Sequence, residues 1–454
     1  MITFLLNLMA LVLGYMLCNR FMKRVYVANY RVLFAVLLTG SSLTAVAEET
    51  EVAEETAVVE ETEVTEETAG LEETTLFEGM ESQGTTAEKS TTNLPQWIKN
   101  IKFSGYGMLQ YQGQDKYENK SNSFKLRLMR LILDGKIGDF DWRVQIQGTS
   151  EKGAGEATVS LMDLYAEWVR YKALRVRAGQ FKRAFTFENP THPITQGWYA
   201  YADVINQLAA FGDRTGEKSS SGRDIGVQLQ GDILPNSEGR ALVHYQVGVY
   251  NGEGINSRDK DNRKDLIGGF WVMPVKGLRI GASGWMGSHG NMTVGYETVP
   301  TGLYVFDANN NKVEQTTQSA ITASVPLNRY ALSAEYDKDE YTFRAEYIHS
   351  QGWGSGVVGS TVVNYNLGDK ADGWYAFGIV PVIKSKLHLK ARYQTYRKSK
   401  EWSTSKTMYE IGANYFFTKN LQLNFEYARV NDRSIANADK HNYNFVDLQL
   451  DFRF

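Results

Sequence analysis

The sequence predicts an all-β transmembrane protein: an antiparallel β-barrel of sixteen strands behind a disordered acidic N-terminal segment. Three observations predict it. At the C-terminus Val446, Leu448, Leu450, Phe452 and Phe454 alternate with Asp447, Gln449, Asp451 and Arg453, which gives a strand one wholly apolar face and one wholly polar face. The composition has 41 Gly, 26 Tyr and 21 Phe against 8 Pro, as suits a barrel whose alternating faces cancel in any hydropathy average. The third observation is a regular alternation of long and short gaps between candidate strands.

Sixteen segments from Ile101 onward are alternating or Gly-punctuated, each about the ~9–11 residues that cross a bilayer at a tilt. They cover 101–112, 124–136, 140–149, 159–169, 174–181, 223–232, 241–250, 265–274, 277–286, 330–337, 341–349, 372–382, 386–396, 406–416, 420–430 and 443–454. Every odd gap is at least 9 residues and every even gap at most 8. Long outer loops and short periplasmic turns are the rule in outer-membrane barrels, and a soluble sandwich has no reason to follow it. The second segment breaks phase, because Lys125 and Arg127 agree with each other but not with Arg130, which predicts a bulge near Met129. LYVF and KVEQT flank Asp307 to Asn311 inside a 43-residue gap, so an added hairpin, giving eighteen strands, is the second choice.

Residues 1–47 read as a signal region. Met22 opens a basic start, Val32 to Leu38 is apolar, and Ala45-Val46-Ala47 is a small-x-small cleavage site. We expect translation to begin at Met22, against the alternative that residues 1–21 are a membrane anchor. Residues 48–93 hold 15 acids and one base, in Glu-Glu-Thr units that bury nothing, and are expected to be a disordered periplasmic segment. The remainder, 94–454, carries 44 bases against 37 acids and is the barrel domain. Cys18, the single cysteine, falls in the signal region, so neither a disulfide nor a cysteine metal site is expected.

A sixteen-stranded barrel encloses more lumen than wall side chains fill, so something must narrow it. The 41-residue gap 182–222 contains GWYAYADVINQLAAFG, apolar enough to pack on the inner wall, and is predicted to fold inward as the third loop. Lys182, Arg183, Arg214, Lys218 and Arg223 lie near its ends. Strand phases turn ten bases inward against eight acids, Arg279, Arg344 and Arg453 among the bases. The candidates for an anion path are Lys125, Arg127, Arg143, Arg175, Arg177, Lys182, Arg183, Lys390 and Arg392, because clustered positive charge in a low-dielectric constriction concentrates anions.

RVRAGQFKRAFTFEN (Arg175 to Asn189), GRDIGVQLQG (Gly222 to Gly231), YQVGVYNGEGIN (Tyr245 to Asn256), KDLIGGFWVMP (Lys264 to Pro274), GWYAFGIVP (Gly373 to Pro381) and LKARYQTY (Leu389 to Tyr396) resemble, in order and spacing, the phosphate-selective porin O and P family. The resemblance spans about Ile101 to Phe454. It implies a trimeric sixteen-stranded porin with an inward third loop and inward basic residues that guide phosphate or other anions. Two departures are Gly269, where the family places a basic residue, and the centre of the third loop, which carries no family motif.

No HExxH or GxSxG spacing occurs and the six His are scattered, so no enzyme, cofactor or metal is expected. Asn251 to Asp265 is rich in Asp and Asn but lacks the EF-hand order, and reads as a polar loop. The reading is an outer-membrane porin for passive diffusion of small hydrophilic solutes, preferring anions. Its partners are outer-membrane lipids, small anions and two further copies of itself, with no nucleic acid. The alternative is a surface protein whose long loops bind a ligand or partner over a closed lumen.

Overall fold

The computed structural model describes residues 101–149, 158–209, 221–259, 261–352, 356–358, 361–363 and 369–454. The predicted signal region and acidic segment lie outside the described residues. Sixteen antiparallel strands form one closed barrel: β1 (Lys102–Gln114), β2 (Ser121–Ile137), β3 (Phe140–Thr149), β4 (Thr158–Tyr171), β5 (Leu174–Lys182), β6 (Arg223–Pro235), β7 (Ala241–Tyr250), β8 (Asp265–Val272), β9 (Leu278–Phe306), β10 (Lys312–Lys338), β11 (Tyr341–Gly352), β14 (Asp369–Ile383), β15 (Leu387–Arg397), β16 (Ser405–Thr418), β17 (Leu421–Asp432) and β18 (Asn442–Arg453). A separate small hairpin, β12 (Gly356–Val358) and β13 (Thr361–Val363), sits in the connection from β11 to β14.

Closure is what lets strands span lipid, since each backbone group then has a partner in the next strand. At the seam β1 pairs with β18 from Tyr106 opposite Arg453 to Gln114 opposite Phe445. Gly105 and Phe454 exchange both backbone hydrogen bonds, at 2.8 and 3.0 Å. The alternation predicted for the faces is present: Phe103, Phe124, Leu126, Met129 and Leu133 are exposed on the outside, while Tyr106, Met108, Leu128, Arg130 and Ile132 are buried within.

The bulge expected near Met129 is present: Met108 pairs with Leu128 and Leu109 with Leu126, which leaves Arg127 as the extra residue. That insertion resets the phase, so Arg127 and Arg130 both turn inward. The 43-residue gap is not a loop, because β9 and β10 run through it to a turn in which Phe306 faces Lys312. LYVF and KVEQT do pair, but as the far ends of the ninth and tenth strands, so the barrel count is sixteen. Three register shifts in this ribbon, with Gly and Pro within it, hid its pleat from a period-2 reading.

The wall packs closest where glycine permits it. Gly179 on β5 has φ +129°, and a Cβ there would lie 2.2 Å from the Leu164 carbonyl oxygen and 2.7 Å from the Tyr165 Cα. The backbone conformation alone costs a non-glycine residue about 1–3 kcal/mol, and the collision is with backbone that cannot swing away. Gly179→Ala is therefore expected to lower the temperature at which the folded barrel converts to the unfolded form on semi-native gel electrophoresis. An unchanged transition would contradict the close β4–β5 approach.

Candidate functional site

Between β5 and β6 the chain turns into the lumen. Residues 183–209 cross it, ending in a short helix, α1 (Asp203–Leu208), whose Val204, Ile205 and Leu208 are buried. Phe185 packs edge-on against Trp285 of β9 (5.6 Å between ring centres) and Phe187 against Trp271 of β8 (5.3 Å). On the other side Ile194 joins Tyr106, Met108, Leu128 and Ile132 of β1 and β2, and the His192 ring meets Tyr106 edge-on. Trp198 then packs on Phe377 of β14, and α1 lies against β11, β14 and β15. The largest apolar cluster of the described residues is this contact between loop and wall, with Phe181, Phe185, Trp198, Ile205, Leu208 and Tyr375 at its heart.

An irregular segment inside a barrel leaves amides and carbonyls that must find partners. The wall supplies them. The Glu346 carboxylate accepts from the amides of Phe187 (2.6 Å) and Glu188 (2.8 Å), from the Tyr375 hydroxyl (2.7 Å) and from Ser333. Glu426 accepts from the Tyr199 amide (2.7 Å), and Gln394 Oε1 from the Asp203 amide at the start of α1 (2.6 Å). In the other direction Lys390 donates to the Gly197 carbonyl (2.6 Å), Arg392 to Ala200 (2.9 Å), Arg453 to Ile194 (3.0 Å) and Arg329 to Leu208 (2.8 Å).

The nine predicted path residues therefore divide. Lys390 (to Glu426, 2.6 Å), Arg392 (forked on Glu410, 2.6 and 2.8 Å) and Arg183 (to Asp224, 3.0 Å) have side chains at most 1% exposed. They are enclosed between wall and loop, which corrects the expectation that they face open lumen. Lys182 is turned into the loop as well, donating to the carbonyls of Asn189 (2.6 Å) and Thr191 (2.7 Å) and to the Tyr201 hydroxyl. The other five are on β2, β3 and β5, with Lys125 and Arg127 toward the long-loop end and Arg143, Arg175 and Arg177 toward the short-turn end. Arg143 pairs with Asp134 (2.7 Å), Arg175 with Asp232 (2.8 Å) and Arg177 with Glu167, yet their side chains keep 17%, 14% and 21% exposure. Lys125 and Arg127 are half-buried in the outer half of β2. Arg127 donates to Gln449 Oε1 (2.8 Å) and touches the Met108 sulfur, with no carboxylate in ion-pairing reach among the described residues. Arg214 and Lys218 lie outside the described residues.

Sequence reasoning missed Arg130, which is buried at mid-height and donates to Gln147 Oε1 (2.8 Å) and the Tyr106 hydroxyl (3.0 Å). Its phase break was the available signal. Inward acids such as Glu346 and Glu426 were counted only as opposing charge, and their role in holding loop amides was not visible. Burial first, then the positive charges of Arg143, Lys182 and Arg130, hold the His192 imidazole well below its ordinary pKa and so neutral. The loop thus meets the β1–β3 wall in a positive field. Burial pushes the Glu188 carboxyl up to about 7, against the pull of Arg344 and Arg392 and with the help of Glu346.

The sequence profile of the phosphate-selective porin O and P family matches residues 104–274 and 383–454, more than half of the chain. The chain belongs to this family. None of the curated proteins compared matches it. Among solved structures, this porin is similar to Salmonella typhi OmpF in complex with daunomycin (TM-score 0.54, 10% identity, 78% of this chain and 98% of that one). It is also similar to an anion-selective porin from Comamonas acidovorans (0.50, 12%, 78% and 99%) and to a loop-deletion mutant of OmpT, an outer membrane protein of Vibrio cholerae (0.50, 14%, 78% and 100%). At these identities the likenesses concern the fold. Family membership makes the protein an outer-membrane channel rather than an enzyme, and places it in the bacterial outer membrane with its long loops outside.

Two outcomes test the loop anchors. Hydrogen bonds to a buried charged group are worth roughly 1.5–3 kcal/mol each, so Glu346→Ala is expected to raise amide exchange at Phe187 and Glu188 at least tenfold while the barrel stays folded. Unchanged exchange would remove Glu346 from the anchoring role. Glu188 holds its proton to higher pH in the packed loop than the ordinary 4.5. Its contribution to packing is therefore full below about 4.5 and is lost as the pH rises to about 7. Loop protection should fall across that window in the native porin and be flat in Glu188→Gln; the same slope in both would exclude Glu188 as its source.

Proposed function

We propose that this porin conducts small hydrophilic solutes with a preference for anions such as phosphate, along the arc of wall formed by β2, β3 and β5. The observation that carries the reading is that the cations Lys125, Arg127, Arg143, Arg175 and Arg177 on those strands keep water-accessible side chains, whereas Lys390 and Arg392 are enclosed beneath the loop. Arg127 matters most, because a guanidinium held by one neutral amide keeps its planar fork of donors for a phosphate oxygen pair. The ion-paired arginines contribute less net field, and Asp447 and Asp451 on β18 temper it further. Weak holding suits a channel, since the solute must leave as readily as it enters.

The resemblance to an anion-selective porin fold and the family description support the same direction. We also propose a homotrimer in outer-membrane lipid, as the family resemblance implies; a particle mass of a single chain in mild detergent would contradict it.

In planar bilayers under a KCl gradient, the reversal potential is expected to have the sign of chloride preference, and phosphate to reduce the chloride current. Lys125→Ala with Arg127→Ala should move the reversal potential toward cations and weaken the phosphate block about tenfold, with heat-stable assembly retained. No conductance, or cation preference in the native protein, would overturn the proposal.

A further inference from the structure

On the outer surface of the barrel, at the long-loop end of β11, β14 and β15, a cavity of about 220 Å³ is lined by Tyr347, Asp372, Trp374, Thr395, Arg397 and Trp402. It faces away from the lumen: Asp372 and Trp374 alternate along β14 with the buried, inward Ala371 and Tyr375, and Thr395 and Arg397 with the inward Gln394 and Tyr396. Asp372 and Arg397 are direct cross-strand partners. Arg397 forks onto that carboxylate (Nη2 to Oδ2 2.9 Å, with Nε on Oδ1) and donates its remaining Nη1 to the Lys400 carbonyl (3.0 Å). The Tyr347 hydroxyl donates to Asp372, and the guanidinium lies 4.7 Å from the Trp402 ring centre. Trp374, Tyr393 and Tyr409 continue across three strands as tilted and edge-on rings (4.7 and 5.2 Å). Lys398 and Lys400 are exposed just beyond the rim.

A charged pair on the lipid side of a barrel is costly in hydrocarbon and tolerable only near the interface. The aromatic rings mark that depth, with apolar bodies toward the acyl layer and polar tips toward the headgroups. The conduction path has no use for this cluster, since its side chains point the other way. Its chemistry is specific in kind. A carboxylate–guanidinium fork offers acceptors and donors side by side, as vicinal hydroxyls require; an exposed indole matches the apolar face of a pyranose ring; flanking lysines suit phosphate. Only an outer-leaflet lipid presents sugar, phosphate and acyl chains together at this depth.

We propose that this cavity binds the phosphorylated glucosamine headgroup of a lipopolysaccharide, with Trp402 and the Asp372–Arg397 pair on the sugar, Lys398 and Lys400 on phosphate, and acyl chains over Trp374 and Tyr393. The test uses the full chain in mild detergent, a hexa-acylated bisphosphorylated lipid A as probe and phosphatidylglycerol as an anionic lipid without sugar, read by native mass spectrometry. The native protein should retain lipid A at about tenfold lower concentration than phosphatidylglycerol. Trp402→Ala with Lys398→Ala and Lys400→Ala should abolish that preference while single-channel conductance is unchanged. Thr395→Trp, which fills the cavity and removes no charge, should do the same and covers the case in which the triple variant does not fold. Equal retention of the two lipids by the native protein, or undiminished preference in the folded variants, would overturn the proposal. So would disulfide-linked oligomers formed by Trp402→Cys in a Cys18→Ser background, which would make this face a contact between copies of the chain.

Discussion

A peptide segment that crosses the inside of a barrel without regular structure carries amides and carbonyls that neither a helix nor a sheet satisfies, and the organisation of this porin follows from how the wall satisfies them. Glu346, Glu426 and Gln394 take loop amides; Lys390, Arg392, Arg329 and Arg453 take loop carbonyls. Each of these groups would be expensive to bury alone. Together they satisfy loop amides and carbonyls from Phe187 to Leu208, and the apolar face of the loop closes over them. The acid-to-base balance of β10 to β17 is thus set by the loop, whatever solute the channel carries.

That requirement sorts the inward charges by consequence. Where the loop lies, a base is locked to an acid and a carbonyl with its side chain enclosed, as at Lys390 and Arg392. Such pairs gain little stability against two well-packed apolar side chains, but losing one partner strands the other in a dry site. On β2, β3 and β5, where the loop touches the wall at Leu128 and Ile132, Arg143, Arg175 and Arg177 keep partial contact with water even when paired. The same residue type is therefore enclosed at Lys390 and Arg392 and partly open to water at Arg143, Arg175 and Arg177.

Much of this was legible in the sequence, and the reason is locality. The period-2 faces, the long-short alternation of connections and the phase break at Arg130 are all contained within a few dozen residues, so the sixteen strands could be read directly. The ribbon of β9 and β10 was not, because Gly, Pro and Thr blur its alternation and register shifts interrupt it. The candidate site was half legible. Strand phase says that Lys125 and Lys390 both face inward; it cannot say that Gly197 covers the second while the first is half-buried. The anchors are out of reach of any local pattern, since Glu346 meets Phe187 at a separation of 159 residues and Glu426 meets Tyr199 at 227.

The closing strand, β18, ties the two halves together. Its outward Phe452 and Phe454 seal the seam with β1, while inward Gln449 holds Arg127 and Arg453 holds the tip of the loop at Ile194. Lys390 is enclosed beneath the loop, while Lys125 and Arg127 stay half-buried. The most direct test of that asymmetry is the reaction rate of single cysteines with a small sulfonate thiol reagent in a Cys18→Ser background. Lys125→Cys is expected to react at least a hundredfold faster than Lys390→Cys in the folded porin; equal rates at the two positions would contradict a path confined to the β2–β5 arc.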